Sequence, residues 1–429
     1  MVLMSTKKAV IAALLAAAVA CSREQAHQTK ETVKAKVHDA FEAAVPATGT
    51  DDTAAREKER FDQQWRQLQS FRAQQAQIAQ QQQQQQAAAQ QQAAQQQAAA
   101  EQQIQFVQRT KKSKESFKDL DANAVNSAPV MVPITGDVRG PSVLKAQIYL
   151  DRLHFSVGAL DGRWGRNSAI TVWTWQRSHG LDATGDVDEN TFRALARAAG
   201  YPPALTQYTV TADDLKGPFT HLPDDPYEKA KLSCLCYESV REELAERFHS
   251  SEDFLEELNP NVKFSDVAAG QTINVPNVRP AVTTDNPDIA KIVISIRGNS
   301  YNGYDASGNL VFHAPTTLGS TYDPSPTESL HVIEVVHHPH FHYDPTLYHE
   351  VPDSMPDAHM NPGPNSPVGV VWMALSKEHY GMHGTPDPES IGYASSHGCV
   401  RLTNWDAEEV SHRITKGVPV AFVDTKHES

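Results

Sequence analysis

The segment that begins at His383 and ends at Cys399 carries residue types with which a protein can do covalent chemistry. It reads H-G-T-P-D-P-E-S-I-G-Y-A-S-S-H-G-C and continues as V-R-L-T-N-W-D. A free thiol with a pKa of about 8.5 is mostly protonated at neutral pH, so it needs a base or an electropositive site before it can attack. Histidine is the usual base, because its pKa lies close to the working pH. Both His383 and the nearer His397 are candidates, and Cys399 is the predicted nucleophile.

The residues that flank Cys399 suit a reacting loop. Gly398 has no side chain, so the backbone N–H groups of Gly398 and Cys399 can approach a developing oxyanion. Arg401 carries a planar cation that can bind a substrate carboxylate through two hydrogen bonds. For Arg401, an ion pair with Asp406 that only supports the fold is an equal alternative.

Two other interpretations of these residue types are weaker. A buried structural thiol is the commonest fate of a free cysteine, but the polar Ser, His and Gly neighbours of Cys399 argue against it. The run H-H-P-H-F-H at residues 337–342 suggests metal ligands. Pro339 interrupts its spacing and no carboxylate pair accompanies it, so a loop that covers the substrate is favoured. We expect no metal site and no cofactor.

The chain has 429 residues and a net charge of −14. The length suits about two to four domains, and the acidic balance argues against nucleic acid as a partner. Residues 1–20 have the pattern of a signal peptide, in which Lys7 and Lys8 precede the apolar run Ala9–Ala20. Such a run is too short to span a membrane. Cys21 follows small residues, which predicts a lipidated cysteine; plain secretion is the alternative.

Residues 21–138 are predicted to form a stalk. Gln and Ala dominate from Gln63 to Gln108, and such a composition cannot bury a core. Ala and Gln favour helix, so the stalk is expected to be helical or disordered. Its expected role is to separate a lipid anchor from the catalytic part of the chain.

Residues 139–202 are predicted to form a small three-helix bundle. Two turn clusters, G-A-L-D-G-R-W-G at 158–165 and D-A-T-G-D-V-D at 182–188, separate three helical runs. The segment resembles the peptidoglycan-binding three-helix domain, in which D-G-x-x-G and x-x-Q-x-x-x-G-L-x-x-T-G recur. The resemblance implies a module that binds the cell-wall polymer.

Residues 205–279 are predicted to form a small α+β unit. The run L-A-E-R-F-H-S-S-E-D-F-L-E-E-L-N-P resembles the LysM glycan-binding module. The usual glycine-aspartate start is missing and an insertion with Cys234 and Cys236 lies inside, so a structural spacer is nearly as well supported. The two cysteines can form a tight disulfide ring or remain a reduced pair.

Residues 286–425 change to short strands with proline-rich loops, which predicts a mainly-β domain of sandwich or barrel-like form. P-G-P-N-S-P-V-G (362–369), Y-G-M-H-G-T (380–385), I-G (391–392), S-S-H-G-C-V-R-L (395–402) and N-W-D-A (404–407) resemble the YkuD-type L,D-transpeptidase catalytic domain. The chain departs from that family at residues 325–328, S-P-T-E, where a threonine-proline-x-glycine turn is usual.

The resemblance implies roles for the residues named above. Cys399 is the nucleophile, and His383 of the H-G-T motif is the base and later the general acid. His397 then becomes structural or substrate-facing, and the carbonyl of Gly384 orients His383. The residues expected to face the substrate or the oxyanion are Gly384, Ser396, His397, Gly398 and Arg401.

The resemblance also implies a reaction. Cys399 forms a thioester with the tetrapeptide stem of peptidoglycan and passes it to an amine, which gives a 3→3 cross-link or tethers a protein lysine. Hydrolysis of an L,D-bond or a wall-protein linkage is one alternative, and a non-catalytic wall-anchoring protein is another. The expected location is the periplasm or cell envelope, and Ser22 after a lipidated Cys21 favours the outer membrane.

Overall fold

The computed structural model describes residues 51–118, 120–347, 351–352 and 354–425. The predicted signal peptide at residues 1–20 and the predicted lipidation site Cys21 lie outside these ranges. The Gln/Ala-rich region forms helix α1, Asp51–Gln103, as the high helix propensity of Ala and Gln favours. No helix among the described residues is both long enough and apolar enough to cross a membrane.

The predicted stalk boundary at residue 138 is wrong. Helix α1 ends at Gln103, and the chain then forms strand β1 (Phe106–Gln108), helix α2 (Ala122–Ser127) and strand β2 (Val130–Val132). Strands β1 and β2 pair in parallel. Phe117, Val125 and Ile134 are buried in the core of the helical module that follows. These apolar residues are scattered through a polar stretch and show no helical or strand periodicity. The sequence alone therefore does not predict that they pack into the helical module.

The three predicted helices of the next module are present as α3 (Pro141–Arg152), α4 (Arg166–Ser178) and α5 (Glu189–Ala199). Proline occupies the first helical position of α3, where its missing N–H costs nothing. Asp188 caps α5 by accepting from the N–H of Thr191 at 2.7 Å. The core of the bundle is filled by large side chains without exposed surface, among them Leu144, Ile148, Trp175 and Phe192.

The module from residue 205 to residue 276 has α+β structure. Its elements are β3 (Leu205–Thr209), α6 (Pro226–Lys229), α7 (Val240–Arg247), α8 (Glu252–Leu258) and β4 (Thr272–Pro276). Strands β3 and β4 pair antiparallel, and the side chains of Ser239 and Ser251 cap α7 and α8. Cys234 and Cys236 form a disulfide, so the first of the two alternatives for this pair is realised.

The C-terminal part of the chain forms one curled sheet and one helix. Its elements are β5 (Lys291–Ser295), β6 (Ser300–Tyr304), β7 (Leu310–Pro315), β8 (Leu330–His337), β9 (Phe341–Tyr343), β10 (Ala358–Met360), β11 (Val371–Leu375), β12 (Gly381–His383), β13 (Val400–Arg401), α9 (Asn404–Arg413) and β14 (Pro419–Val423). The sheet has the strand order β13-β12-β11-β8-β14-β5-β6-β7, and β9 pairs with β10 separately. Pairs β12–β13 and β14–β5 are parallel.

The two edges of this sheet meet. Thr317, which follows β7, exchanges two backbone hydrogen bonds with Arg401 of β13, at 3.1 and 2.9 Å. The sheet therefore curls until its first and last strands touch, which removes an open edge and selects the barrel-like alternative over the sandwich. The same closure brings the chain after β7 against the segment that contains Cys399.

A buried charge cluster joins the three modules. Arg279, in the segment before β5, bonds to Asp151 of α3 and, at 2.5 Å each, to Asp406 and Glu409 of α9. His249 adds a 2.8 Å hydrogen bond to the same Asp151. Buried charges are tolerated only when paired and hydrogen-bonded, so this cluster requires the modules to stay together.

Candidate active site

The pairing of β12 with β13 places the predicted catalytic residues on adjacent strands. His383 lies opposite Arg401, and Met382 lies opposite Val400. Because side chains alternate between the faces of a sheet, His383 and Arg401 project to one face, and Cys399 lies in the bend that leads into β13. The parallel pairing thus brings together two motifs that are separated in sequence.

The His383 side chain is buried, with 3% of its surface exposed. Its Nδ1 lies 2.6 Å from the carbonyl oxygen of Gly384, and a carbonyl can only accept, so Nδ1 carries the proton. Nε2 is then the acceptor nitrogen of the neutral ring. The ring also stacks on Trp372 of β11, with centroids 5.5 Å apart, which holds its orientation.

Burial and the nearby Arg401 charge lower the pKa of His383 to about 3, and the bond to Gly384 only partly opposes them. Burial raises the pKa of the Cys399 thiol, with opposing effects from the Gly381 backbone and Arg401. The Sγ atom lies 3.6 Å from the carbonyl oxygen of His379, within reach of a thiol hydrogen bond. Burial therefore favours the neutral form of each side chain, and the thiol must lose its proton before it can attack.

Two serine hydroxyls hold the loop that carries Cys399. Ser325 donates to the carbonyl of Gly398 at 2.9 Å and accepts from the N–H of Gly319 at 2.9 Å. Ser396 donates to the carbonyl of Cys399 at 2.6 Å. Ser396 was expected to face the substrate, but it is 3% exposed and its hydroxyl bonds to the loop itself. Its contacts are those of a loop-positioning residue.

Gly398 adopts a φ of +103°, a backbone conformation that favours glycine. A Cβ atom there would lie 2.8 Å from Cε1 of Tyr380. The glycine is thus required both by the turn and by the close approach of an aromatic ring, which agrees with the expectation that this position needs no side chain.

Asp406, the alternative ion-pair partner expected for Arg401, is fully buried and bonds to Arg279 and to the hydroxyl of Ser156. Arg401 lies in strand β13 opposite His383, and its positive charge lowers the pKa of both His383 and Cys399. His397 lies half-buried in the bend between Ser396 and Gly398.

Asn404 is a positioning residue that the sequence did not single out. Its Oδ1 accepts from the N–H of Val370 at 3.2 Å, and a Cβ atom on Gly384 would lie only 2.2 Å from that same Oδ1. Asn404 therefore packs directly on the glycine whose carbonyl orients His383. The signal was present in the N-W-D-A motif, but nothing in the sequence said which backbone the asparagine would touch.

A cysteine thiol and a neutral imidazole on adjoining segments of one sheet suit cysteine-dependent acyl transfer. Residues 290–421 match the L,D-transpeptidase catalytic domain, and residues 139–195 match the peptidoglycan binding domain. The chain therefore carries a YkuD-type L,D-transpeptidase catalytic domain, which is an acyltransferase, together with a peptidoglycan binding domain.

Individual relatives cover the catalytic part. The chain is 29% identical over 183 residues to the inferred L,D-transpeptidase YkuD of Bacillus licheniformis, across 42% of this chain and 92% of that protein. It is 28% identical over 179 residues to its counterpart in Bacillus subtilis, across 42% and 90% of the two chains. It is also similar to the crystal structure of L,D-transpeptidase 3 from Mycobacterium tuberculosis, with 17% identity, coverage of 37% and 77% of the two chains, and a TM-score of 0.27.

Proposed function

We propose that this protein is a peptidoglycan L,D-transpeptidase that forms a thioester on Cys399 and transfers the acyl group to an amine. The observation that carries the proposal is the parallel pairing of β12, which ends at His383, with β13, which begins one residue after Cys399. His383 presents Nε2 as its acceptor nitrogen because Nδ1 donates to Gly384. This is the form of the ring that can accept a thiol proton.

In the first step, Cys399 Sγ loses its proton to Nε2 of His383 and attacks the carbonyl carbon of the diamino acid at the third position of a tetrapeptide stem. The backbone N–H groups of Gly398 and Cys399 stabilise the oxyanion. The C–N bond then breaks, His383 returns its proton to the leaving amine, and D-alanine departs. A thioester remains on Cys399.

In the second step, an acceptor amine attacks the thioester carbonyl and its proton passes to His383. The C–S bond breaks, and the proton on His383 returns to the leaving thiolate. A side-chain amine of a second stem gives a 3→3 cross-link, and a protein lysine gives a tethered protein. With water as acceptor the same steps give hydrolysis, which is the alternative activity.

Two further features support peptidoglycan as the substrate. The chain carries a peptidoglycan binding domain at residues 139–195, and Arg279 ties α3 of that module to α9 of the catalytic sheet. The module at residues 205–276 stays a prediction as a LysM-like glycan-binding unit; a cleft on it is lined by Arg241, Pro260 and Phe264. We place the protein in the cell envelope, with a lipid anchor at Cys21.

The test is incubation of the purified chain with disaccharide-tetrapeptide and analysis of the products by liquid chromatography and mass spectrometry. We expect free D-alanine and a 3→3 cross-linked dimer, and neither product with Cys399→Ala. Tripeptide without dimer would establish the hydrolase instead. Equal product with Cys399→Ala would contradict Cys399 as the nucleophile, and no product from either protein would leave only the wall-anchoring role. A carbapenem should add its mass to the peptide that contains Cys399 and not to the Ala variant.

A further inference from the structure

Three metal-ligating side chains meet on the catalytic domain at a place that the proposed reaction does not use. His337 ends strand β8, and Glu408 and His412 lie one turn apart on helix α9. Their candidate ligand atoms all lie within 4.8 Å of one another. We propose that this β8–α9 cluster (His337, Glu408 and His412) is a binding site for a divalent transition metal ion, Zn²⁺ being the ion that its chemistry fits best.

Two separations from the Glu408 carboxylate lie close to those of a tetrahedral zinc site. Oε1 of Glu408 lies 3.4 Å from Nε2 of His412 and 3.7 Å from Nδ1 of His337. Zinc bonds to nitrogen and oxygen of about 2.0–2.2 Å place neighbouring ligand atoms about 3.3–3.6 Å apart in a tetrahedron. The ligand atoms of His337 and His412 lie within 4.8 Å of each other, so rotation of these side chains is needed to bring all three ligands to tetrahedral separations.

The types of the three ligand groups indicate which class of metal ion the cluster would bind. Two imidazoles and one carboxylate suit zinc and its transition-metal neighbours, whereas magnesium and calcium prefer oxygen ligands throughout. The ligands are accessible, because the His337 and Glu408 side chains are 37% and 38% exposed. Three protein ligands leave one tetrahedral position for water, so an ion can enter from solvent.

A carboxylate outside the cluster orients one of the ligands. Nδ1 of His412 bonds to the carboxylate of Asp285 at 2.8 Å. A carboxylate accepts, so Nδ1 carries the proton and Nε2 keeps its lone pair on the side of Glu408. Metal-bound histidines almost always donate their second N–H in this way, which fixes the ring and makes it a better ligand. This bond is independent of the ligand separations and points to the same site.

The ion would tie three segments together. His337 belongs to a strand of the catalytic sheet, Asp285 lies in the segment before β5, and helix α9 begins at Asn404, which packs against Gly384. A metal ion bound to the folded chain but held less well by the unfolded chain raises stability. The site is therefore expected to fasten α9 to the sheet without taking part in acyl transfer.

The test is titration of the full chain, first freed of metal with a chelator, with zinc chloride by isothermal calorimetry. Every protein in the series carries Cys399→Ser, because a thiol is itself a zinc ligand. We expect one zinc ion per chain, verified by elemental analysis, and a higher unfolding temperature with zinc. His337→Ala and His412→Ala should each weaken binding at least about 10-fold, and Asp285→Asn about 10- to 100-fold.

His342→Ala is the matched control. The His342 ring stacks on that of His359 at 4.5 Å and bonds to Asp357 at 3.0 Å, so it tests whether any paired histidine binds zinc. We expect the control to keep wild-type affinity and stoichiometry. Unchanged affinity in the double variant His337→Ala/His412→Ala, or loss of binding in His342→Ala, overturns the proposal. Circular dichroism of the metal-free variants identifies any that have simply unfolded.

Discussion

Asn404 donates a 2.7 Å hydrogen bond from Nδ2 to the carboxyl group of Glu246, across the boundary between the catalytic domain and the preceding module. Glu246 also accepts from the hydroxyl of Tyr237 at 3.0 Å. The other end of the Asn404 amide packs on Gly384, whose carbonyl orients His383. The preceding module therefore reaches the backbone beside His383 through two side chains.

Replacement of Glu246 by Gln should change how stability depends on pH. Burial raises the pKa of Glu246 to about 8, above the value of about 4.3 in an unfolded chain. The unfolded chain loses its proton first, so the wild type loses stability as the pH rises from about 4.5 to 8, by up to about 1.4 kcal/mol per pH unit. Glu246→Gln removes this contribution, so its unfolding temperature should exceed that of the wild type increasingly toward pH 8.

The measurement is the unfolding temperature of both proteins between pH 4 and pH 9. Glu228→Gln, at an exposed glutamate of the same module, is the control and should follow the wild type. Parallel curves for the wild type and Glu246→Gln would contradict a buried, protonated carboxyl group at this position.

Loss of the Arg401 charge should make the Cys399 thiol less acidic. Arg401 lowers the pKa of Cys399, while burial raises it above its ordinary value. In the wild type, alkylation of Cys399 by iodoacetamide should thus increase through the alkaline range and not level off near neutral pH. Arg401→Gln should move this profile to higher pH, and Arg401→Lys, which keeps the charge, should move it less. A wild-type profile already level at pH 7 would show a thiolate at rest.

Ser325→Ala should weaken the loop that carries Cys399. The change leaves the N–H of Gly319 and the carbonyl of Gly398 without the hydroxyl that joins them. An unsatisfied buried polar group costs about 1–3 kcal/mol, so we expect lower stability in denaturant unfolding and slower thioester formation with a carbapenem. Thr327→Ala, at an exposed neighbour, should change neither quantity; equal rates for both variants would contradict a positioning role for Ser325.

Arg279→Met should destabilise the assembled modules. It leaves the buried carboxylates of Asp151, Asp406 and Glu409 without their shared cation, and removal of one partner from a buried ion pair typically costs about 3–5 kcal/mol. Chemical denaturation of the full chain measures the loss. Arg297→Met, which removes an ion pair to Asp424 that lies in solvent, is the control and should unfold close to wild type.

The predicted reacting residues and most of the helices and strands could be recognised from local sequence. A thiol followed by V-R-L and a histidine in H-G-T are recognisable without a structure, because a nucleophile and its base need specific atoms. The three helices of residues 141–199 were also predictable, since glycine turns and helix caps act within a few residues. Gly398 was predictable from local sequence too, because its backbone conformation restricts the residue type.

The protonation state of His383, the roles of several polar side chains and part of the core depend on contacts between segments that are distant in sequence. The neutral state of His383 depends on its burial and on Arg401 in the next strand, and the role of Ser325 depends on a bond to Gly398 far along the chain. Asn404 and Glu246 meet only because two modules pack together. Phe117 and Val125 join a core that their own polar segment does not predict. Residue types determine which reaction is available, whereas burial and charge, which set the pKa values and the orientation of the reacting groups, arise only when distant segments fold against one another.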